Sequence, residues 1–151
     1  MAFAQRKLSL KARALQLLSR REHSRRELQA KLAKHEEEPG QLQRALDELA
    51  AGGFIDEQRA ADSIVHRKGA RFGAARVKQE LLAKGIEAEL VAAAVAQLRS
   101  TELDRALDVW RRKFRAPPQD AGERAKQARF LAARGFSGDV IARVLRSREG
   151  D

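Results

Sequence analysis

The chain repeats itself. Sliding the sequence by 49 positions (91 − 42) lays Val91, Ala94, Val95 and Leu98 on Leu42, Ala45, Leu46 and Leu49, and Leu81 on Leu32, without a gap. A further shift of 50 (141 − 91) brings in Ile141, Val144, Leu145 and Arg148, and superposes Arg134-Gly135-Phe136 on Lys84-Gly85-Ile86. Apolar positions at i, i+3, i+4, i+7 occur in any amphipathic helix, so by themselves they do not establish a repeat. The basic-Gly-apolar tripeptide does. In both copies a helix ends on a cation suited to the negative end of its dipole, glycine takes the cap, and an apolar residue folds back over the last turn. A unit of about 50 residues and three helices buries its apolar faces best against a neighbour. The chain is therefore expected to be all-α, with three tandem three-helix repeats, about nine short helices in all, stacked as an elongated, curved array. The expected divisions are a flexible N-terminus over 1–8 and repeats over 9–53, 54–99 and 100–148, the last carrying a loop at 115–120.

Local signals fill in the helices. Only three prolines and no tyrosine occur, and Ala, Leu, Glu, Lys, Arg and Gln, all good helix formers, dominate. A first helix is read over Ser9 to Arg20. Ser24 with Glu27 forms a capping box that opens the second, with Leu28 and Leu32 on its core face. The third is expected to begin at Pro39 and to stop at Gly52-Gly53. Asp56 caps a fourth, and Gly69 and Gly73 flank a basic loop. A fifth runs from about Ala74 to Lys84, with Gly85 in the left-handed cap, and a sixth from about Glu87 to Leu98. Ser100 or Thr101 opens a seventh that ends near Phe114. Pro117-Pro118 breaks the chain before an eighth from about Ala121 to Arg134, and Ser137 caps the last.

Charge narrows the partners. Lys and Arg number 31 against 21 Asp and Glu, a formal net charge of +10, which favours nucleic acid, an acidic protein surface or anionic lipid. With no Cys, disulfides and thiolate chemistry are excluded, and a reducing cytoplasm is the expected home. No apolar run suits a signal peptide or membrane span, so a soluble protein is expected. His23, His35 and His66 are too scattered for a metal site, and are read as surface or capping residues. Asp47-Glu48, Asp56-Glu57 and Asp104 have no nucleophile beside them, and no phosphate-loop motif follows the Gly69–Gly73 stretch. No catalytic, cofactor-binding or metal residue is assigned, and the chain is read as a non-enzyme without cofactors.

The cations cluster. Arg20, Arg21, Arg25 and Arg26 straddle the first helix turn, with Lys31 on the helix that follows. Arg67, Lys68, Arg71, Arg76 and Lys78 bracket the second loop, and Arg111, Arg112, Lys113 and Arg115 follow Trp110. These are the candidate binding residues, since guanidinium groups at a turn can fork onto phosphates or carboxylates. A further basic group comprises Arg124, Lys126, Arg129 and Arg134. Phe72 is expected to close the core between two units in preference to stacking on a base. Trp110 reads as a core anchor on one stripe with Phe114.

These residues carry a resemblance. Leu18-Ser19-Arg20-Arg21-Glu22-His23-Ser24-Arg25-Arg26-Glu27-Leu28 is similar to the opening signature of the RecX family. So is Phe54-Ile55-Asp56-Glu57 followed by Ala60. Gly73, Arg76-Val77, Glu80-Leu81 and Lys84-Gly85-Ile86 resemble the family's central pattern, with Val77 in place of isoleucine. The third unit resembles it through Leu131, Arg134-Gly135-Phe136 and Val140-Ile141, and departs at Gly138. The resemblance spans about residues 9–146. It implies three-helix repeats lodged in the groove of a RecA filament on single-stranded DNA, restraining strand exchange, ATP hydrolysis and co-protease activity. The implied partner is that filament, with DNA itself as a second, and the chain is expected to be a monomer. From the residues alone, a basic helical module acting directly on DNA is the alternative.

Overall fold

A computed structural model describes residues 7–149; of the expected N-terminal segment 1–8, residues 1–6 lie outside the described residues. Those described form nine α-helices and no strand: α1 Leu10–Arg20, α2 Arg25–Leu32, α3 Gln41–Ala51, α4 Glu57–Gly69, α5 Ala74–Ala83, α6 Ala88–Ser100, α7 Glu102–Lys113, α8 Ala121–Ala133 and α9 Gly138–Glu149, with a 3-10 turn at Ala33–His35 after α2. The all-α, three-times-three order expected from the repeat is what the chain adopts. It divides into two compact units between Ser63 and Ile64, inside α4.

In the first unit α1, α2 and α3 pack pairwise around Leu10, Ala14, Leu28, Leu32, Leu42, Leu46, Leu49 and Ile55. In the second, α5 packs on α6, α6 on α7, and α7, α8 and α9 on one another. The last three enclose Ala106, Val109, Trp110, Leu131, Phe136, Ile141, Val144 and Leu145. Trp110 is the anchor the sequence suggested: it is buried, its Nε1–H donates to Gln127 Oε1 at 2.8 Å, and its ring lies 6.3 Å from that of Phe114. Each fully buried Leu here is worth about 2–5 kcal/mol against Ala.

The caps follow from local chemistry. Ser24 and Glu27 form the capping box; Asp56 Oδ1 accepts from the Arg59 N–H at 2.8 Å, and Ser137 Oγ from the Val140 N–H at 3.3 Å. Gly85 and Gly135 take φ of 76° and 90°, and the N–H groups of Ile86 and Phe136 reach back to the carbonyls of Leu81 and Leu131. Both ends are therefore Schellman caps, with the apolar residue closing over the final turn. Two local expectations are corrected. The third helix starts at Gln41, because Pro39 and Gly40, φ 84°, form a turn closed by the Gln41 N–H on the Glu38 carbonyl. That is the Pro-Gly pairing of a type II turn, which cannot also be a first helical turn. Gly69 is the last residue of α4, so the basic loop is shorter than read. Of the two residues expected to open the seventh helix, Thr101 is the one that does, standing as the N-cap of α7 while Ser100 ends α6; its Oγ1 accepts from Arg105 Nε at 3.1 Å.

A second repeating feature has no counterpart in the apolar pattern. Glu57, first residue of α4, accepts the N–H of Arg25, first residue of α2, at 3.3 Å. Glu102, first residue of α7, accepts the N–H of Ala74, first residue of α5, at 3.0 Å. Each following repeat thus supplies a carboxylate to a helix N-terminus of the repeat before it, where orphan N–H groups and the helix dipole favour negative charge. An arginine accompanies each: Arg59 binds Glu22 Oε1 at 2.9 Å and the Gly53 carbonyl at 2.6 Å, while Arg105 binds the carbonyls of Gly69, Phe72 and Leu98 at 2.6, 2.6 and 2.7 Å. Burial pulls the Arg105 pKa below its ordinary value, and Glu102 opposes that pull.

Candidate polyanion interface

The basic corner at the α1–α2 turn divides in two. Arg21 turns inward: its Nη2 donates to Glu27 Oε2 at 2.7 Å and its Nη1 to the Glu22 carbonyl at 2.8 Å, so it is half-buried framework. Arg25 bridges α2 to α3 through Gln43 Oε1 at 2.8 Å and Asp47 Oδ1 at 2.6 Å. Arg20 and Arg26 are exposed. Lys31 Nζ lies 3.2 Å from His23 Nε2. An ammonium has no acceptor, so Nε2 must hold the lone pair and the proton sits on Nδ1, which donates to the Arg21 carbonyl at 3.0 Å. His23 is buried, contrary to a surface role, because the turn folds its ring under Arg21 and Lys31. Burial lowers its pKa, with Arg21 and Lys31 adding to the shift against the hydrogen bond to the Arg21 carbonyl and the charge of Glu27.

A larger convergence lies in the second unit. Phe72 is buried, as expected of a core residue, yet it is ringed by cations: Arg76 at 4.1 Å from its centroid, Arg71 at 5.2 Å, Arg134 at 5.4 Å and Lys68 at 5.8 Å. Arg134 also lies 5.1 Å from the Phe130 ring, and Lys113 Nζ 5.5 Å. Backbone fixes these groups: Arg76 Nη1 donates to the Ala133 carbonyl at 3.1 Å, Arg134 Nη1 to the Arg71 carbonyl at 3.4 Å, and the Gly73 N–H to the Arg134 carbonyl at 2.7 Å. Arg71, Arg112, Lys113 and Arg134 line a recess of about 240 Å³ floored by Val109 and Phe130. Each cation–π contact is worth about 0.5–1 kcal/mol where exposed, enough to hold like charges together that an incoming anion would then neutralise.

The fold therefore brings together Lys68, Arg71, Arg76, Arg112 and Lys113, and adds Arg134 and Phe130, neither of which the sequence singled out as contact residues. Arg134 was visible in the sequence both in the Arg-Gly-Phe cap and in the basic group with Arg124, Lys126 and Arg129, but neither signal placed it beside Phe72. Other candidates stand apart. Lys78 borders an apolar groove with Leu82, Val91 and Val95, Arg111 pairs with Asp108 at 3.3 Å, and Arg67 and Arg115 are exposed. Among the described residues no group of His, Asp and Glu is placed to hold a metal ion, and no helix is long and apolar enough to cross a membrane.

Comparison with known proteins agrees with this architecture. The family profiles described as the first, second and third three-helix domains of RecX match residues 11–49, 56–95 and 100–145. A protein of Leptothrix cholodnii named Regulatory protein RecX is 53% identical over 146 residues, 97% of this chain and 93% of its own length. One of Pseudomonas fluorescens with the same name is 40% identical, covering 95% and 94%. The crystal structure of RecX from Lactobacillus salivarius superposes with a TM-score of 0.74 over 94% of this chain and 96% of that one, at 18% identity, and so shares the fold. Three matched domains in order, and close identity over nearly the full length, place the chain in the RecX family of regulatory proteins.

Proposed function

We propose that the chain regulates RecA by binding the RecA–DNA nucleoprotein filament, slowing ATP hydrolysis, strand exchange and co-protease activity. The observation that carries this reading is the convergence of Arg71, Arg76, Arg112, Lys113 and Arg134 from the α4–α5 turn, α5, α7 and the end of α8 around two phenylalanine rings. Such a surface, in a member of a regulatory family, suits a partner that displays phosphates and carboxylates side by side. A filament on single-stranded DNA is that kind of partner. The chain would act as a monomer in the cytoplasm, its net charge of +10 opposing self-association.

The test is to add the purified chain to RecA assembled on single-stranded DNA and follow ATP hydrolysis and strand exchange, which should both slow. Arg112 and Lys113 are exposed, so Arg112→Ala with Lys113→Ala should fold normally and lose roughly 1–3 kcal/mol of filament affinity. A folded double variant that inhibits like the parent would remove this surface from the interface. Equal binding to naked duplex and to filament at one salt concentration would instead favour direct action on DNA.

A further inference from the structure

A second concentration of positive charge lies in the first unit. Between α1 and the segment from α2 to the 3-10 turn runs an open cleft of about 470 Å³, lined by Arg13, Arg20, Lys31, Lys34 and His35. Leu17 and Leu32 give it an apolar strip, and among the described residues no carboxylate lines it. Two carboxylates of the acidic run that follows His35 are engaged elsewhere: Glu36 Oε1 accepts the Gly40 N–H at 3.1 Å, and Glu37 pairs with Lys7 at 2.6 Å. Arg13 Nε is buried with no hydrogen-bond partner among the described residues, a state that costs free energy unless an acceptor arrives. The local potential is also felt by His35, whose pKa is lowered by desolvation and then by Arg13, Lys34 and Lys7.

We propose that this cleft is a phosphate-binding site of the first repeat, shaped for the phosphodiester backbone of a single nucleic-acid strand. Arg13, Arg20 and Lys34, all donor-only, outnumber what one carboxylate could satisfy, and guanidinium forks match phosphate oxygens. Leu17 and Leu32 between the cations suit the sugars that separate successive phosphates, which an isolated anion would leave uncovered. The site goes beyond the filament reading and is tested without RecA, so either can fail alone.

The experiment measures binding of a fluorescently labelled oligothymidylate to the full chain by anisotropy across a salt series. Arg20→Glu with Lys34→Glu changes two exposed residues and leaves the apolar faces intact, with the thermal melt as the check on folding. Affinity should fall roughly ten-fold or more, and the slope of log affinity against log salt should flatten by about one for every phosphate that the variant no longer engages. His35 supplies an independent signature: its pKa, followed by NMR of the ring protons, should rise when the oligonucleotide binds, because the added negative charge favours the imidazolium. Inorganic pyrophosphate and polyglutamate serve as competitors. Unchanged oligonucleotide affinity in the folded variant, or an unmoved His35, overturns the site. So does polyglutamate or pyrophosphate displacing the strand at equal concentration of anionic groups, the first marking a protein surface and the second a site for a free anion.

Discussion

Gly73 and Gly135 approach so closely that a Cβ added to Gly73 would stand 2.2 Å from the Gly135 carbonyl oxygen. The reverse is also tight: a Cβ on Gly135 would stand 2.5 Å from Arg76 Cβ. Here the α4–α5 turn of the second repeat meets the α8–α9 turn of the third, and the Gly73 N–H bonds the Arg134 carbonyl. Gly73 has φ −76°, open to any residue, so its requirement for glycine is one of space alone.

Gly73→Ala should therefore lower stability by about 2–3 kcal/mol through overpacking against backbone that cannot yield. Gly85→Ala should cost about 1–2 kcal/mol, through the left-handed conformation at φ 76°. Chemical denaturation of both variants checks the order, and a Gly73→Ala chain as stable as the parent would show that the two turns separate easily.

Glu102 is buried, with Oε1 on the Ala74 N–H, so Glu102→Ala should destabilise the chain by about 1–3 kcal/mol. Amide exchange should localise the effect to the start of α5. Glu57→Ala should act in the same way on α2, where its carboxylate meets the Arg25 N–H.

His23 predicts a pH dependence. Its folded pKa lies below the ordinary 6.5 because burial disfavours the imidazolium, so the unfolded chain binds the proton more readily. The stability tied to neutral His23 is then fully present above about pH 6.5 and is lost as pH falls through the lower folded value. Below that window a protonated Nε2 would face Lys31 donor to donor. Denaturation of the parent between roughly pH 5 and 7 should show falling stability on acidification, with a shallower fall in His23→Gln. Equal slopes would mean that the ring is solvated in both states.

The sequence determined most of the local structure, because helix caps and apolar spacing are read within one helix and its turn. The Ser24–Glu27 box, the Gly85 and Gly135 caps, and the stripe from Val91 to Leu98 all depend on residues a few positions apart, and so does the resemblance they carry. Pro39 misled because Pro opens a helix and Pro-Gly opens a type II turn with the same φ; only the positive φ of Gly40 chooses between them. Tertiary structure decided which cations act together. Arg21 and Arg25 look like their neighbours Arg20 and Arg26 in the sequence, yet acceptors brought in by the fold occupy them: Glu27 for the first, Gln43 and Asp47 from α3 for the second. Arg134 joins Arg71 and Arg76 around Phe72 only because two glycines let two turns touch. Glu102 reaches Ala74 across 28 positions. A contact of that kind costs chain entropy to close and leaves no period in the sequence, so it becomes visible only once the repeats have packed.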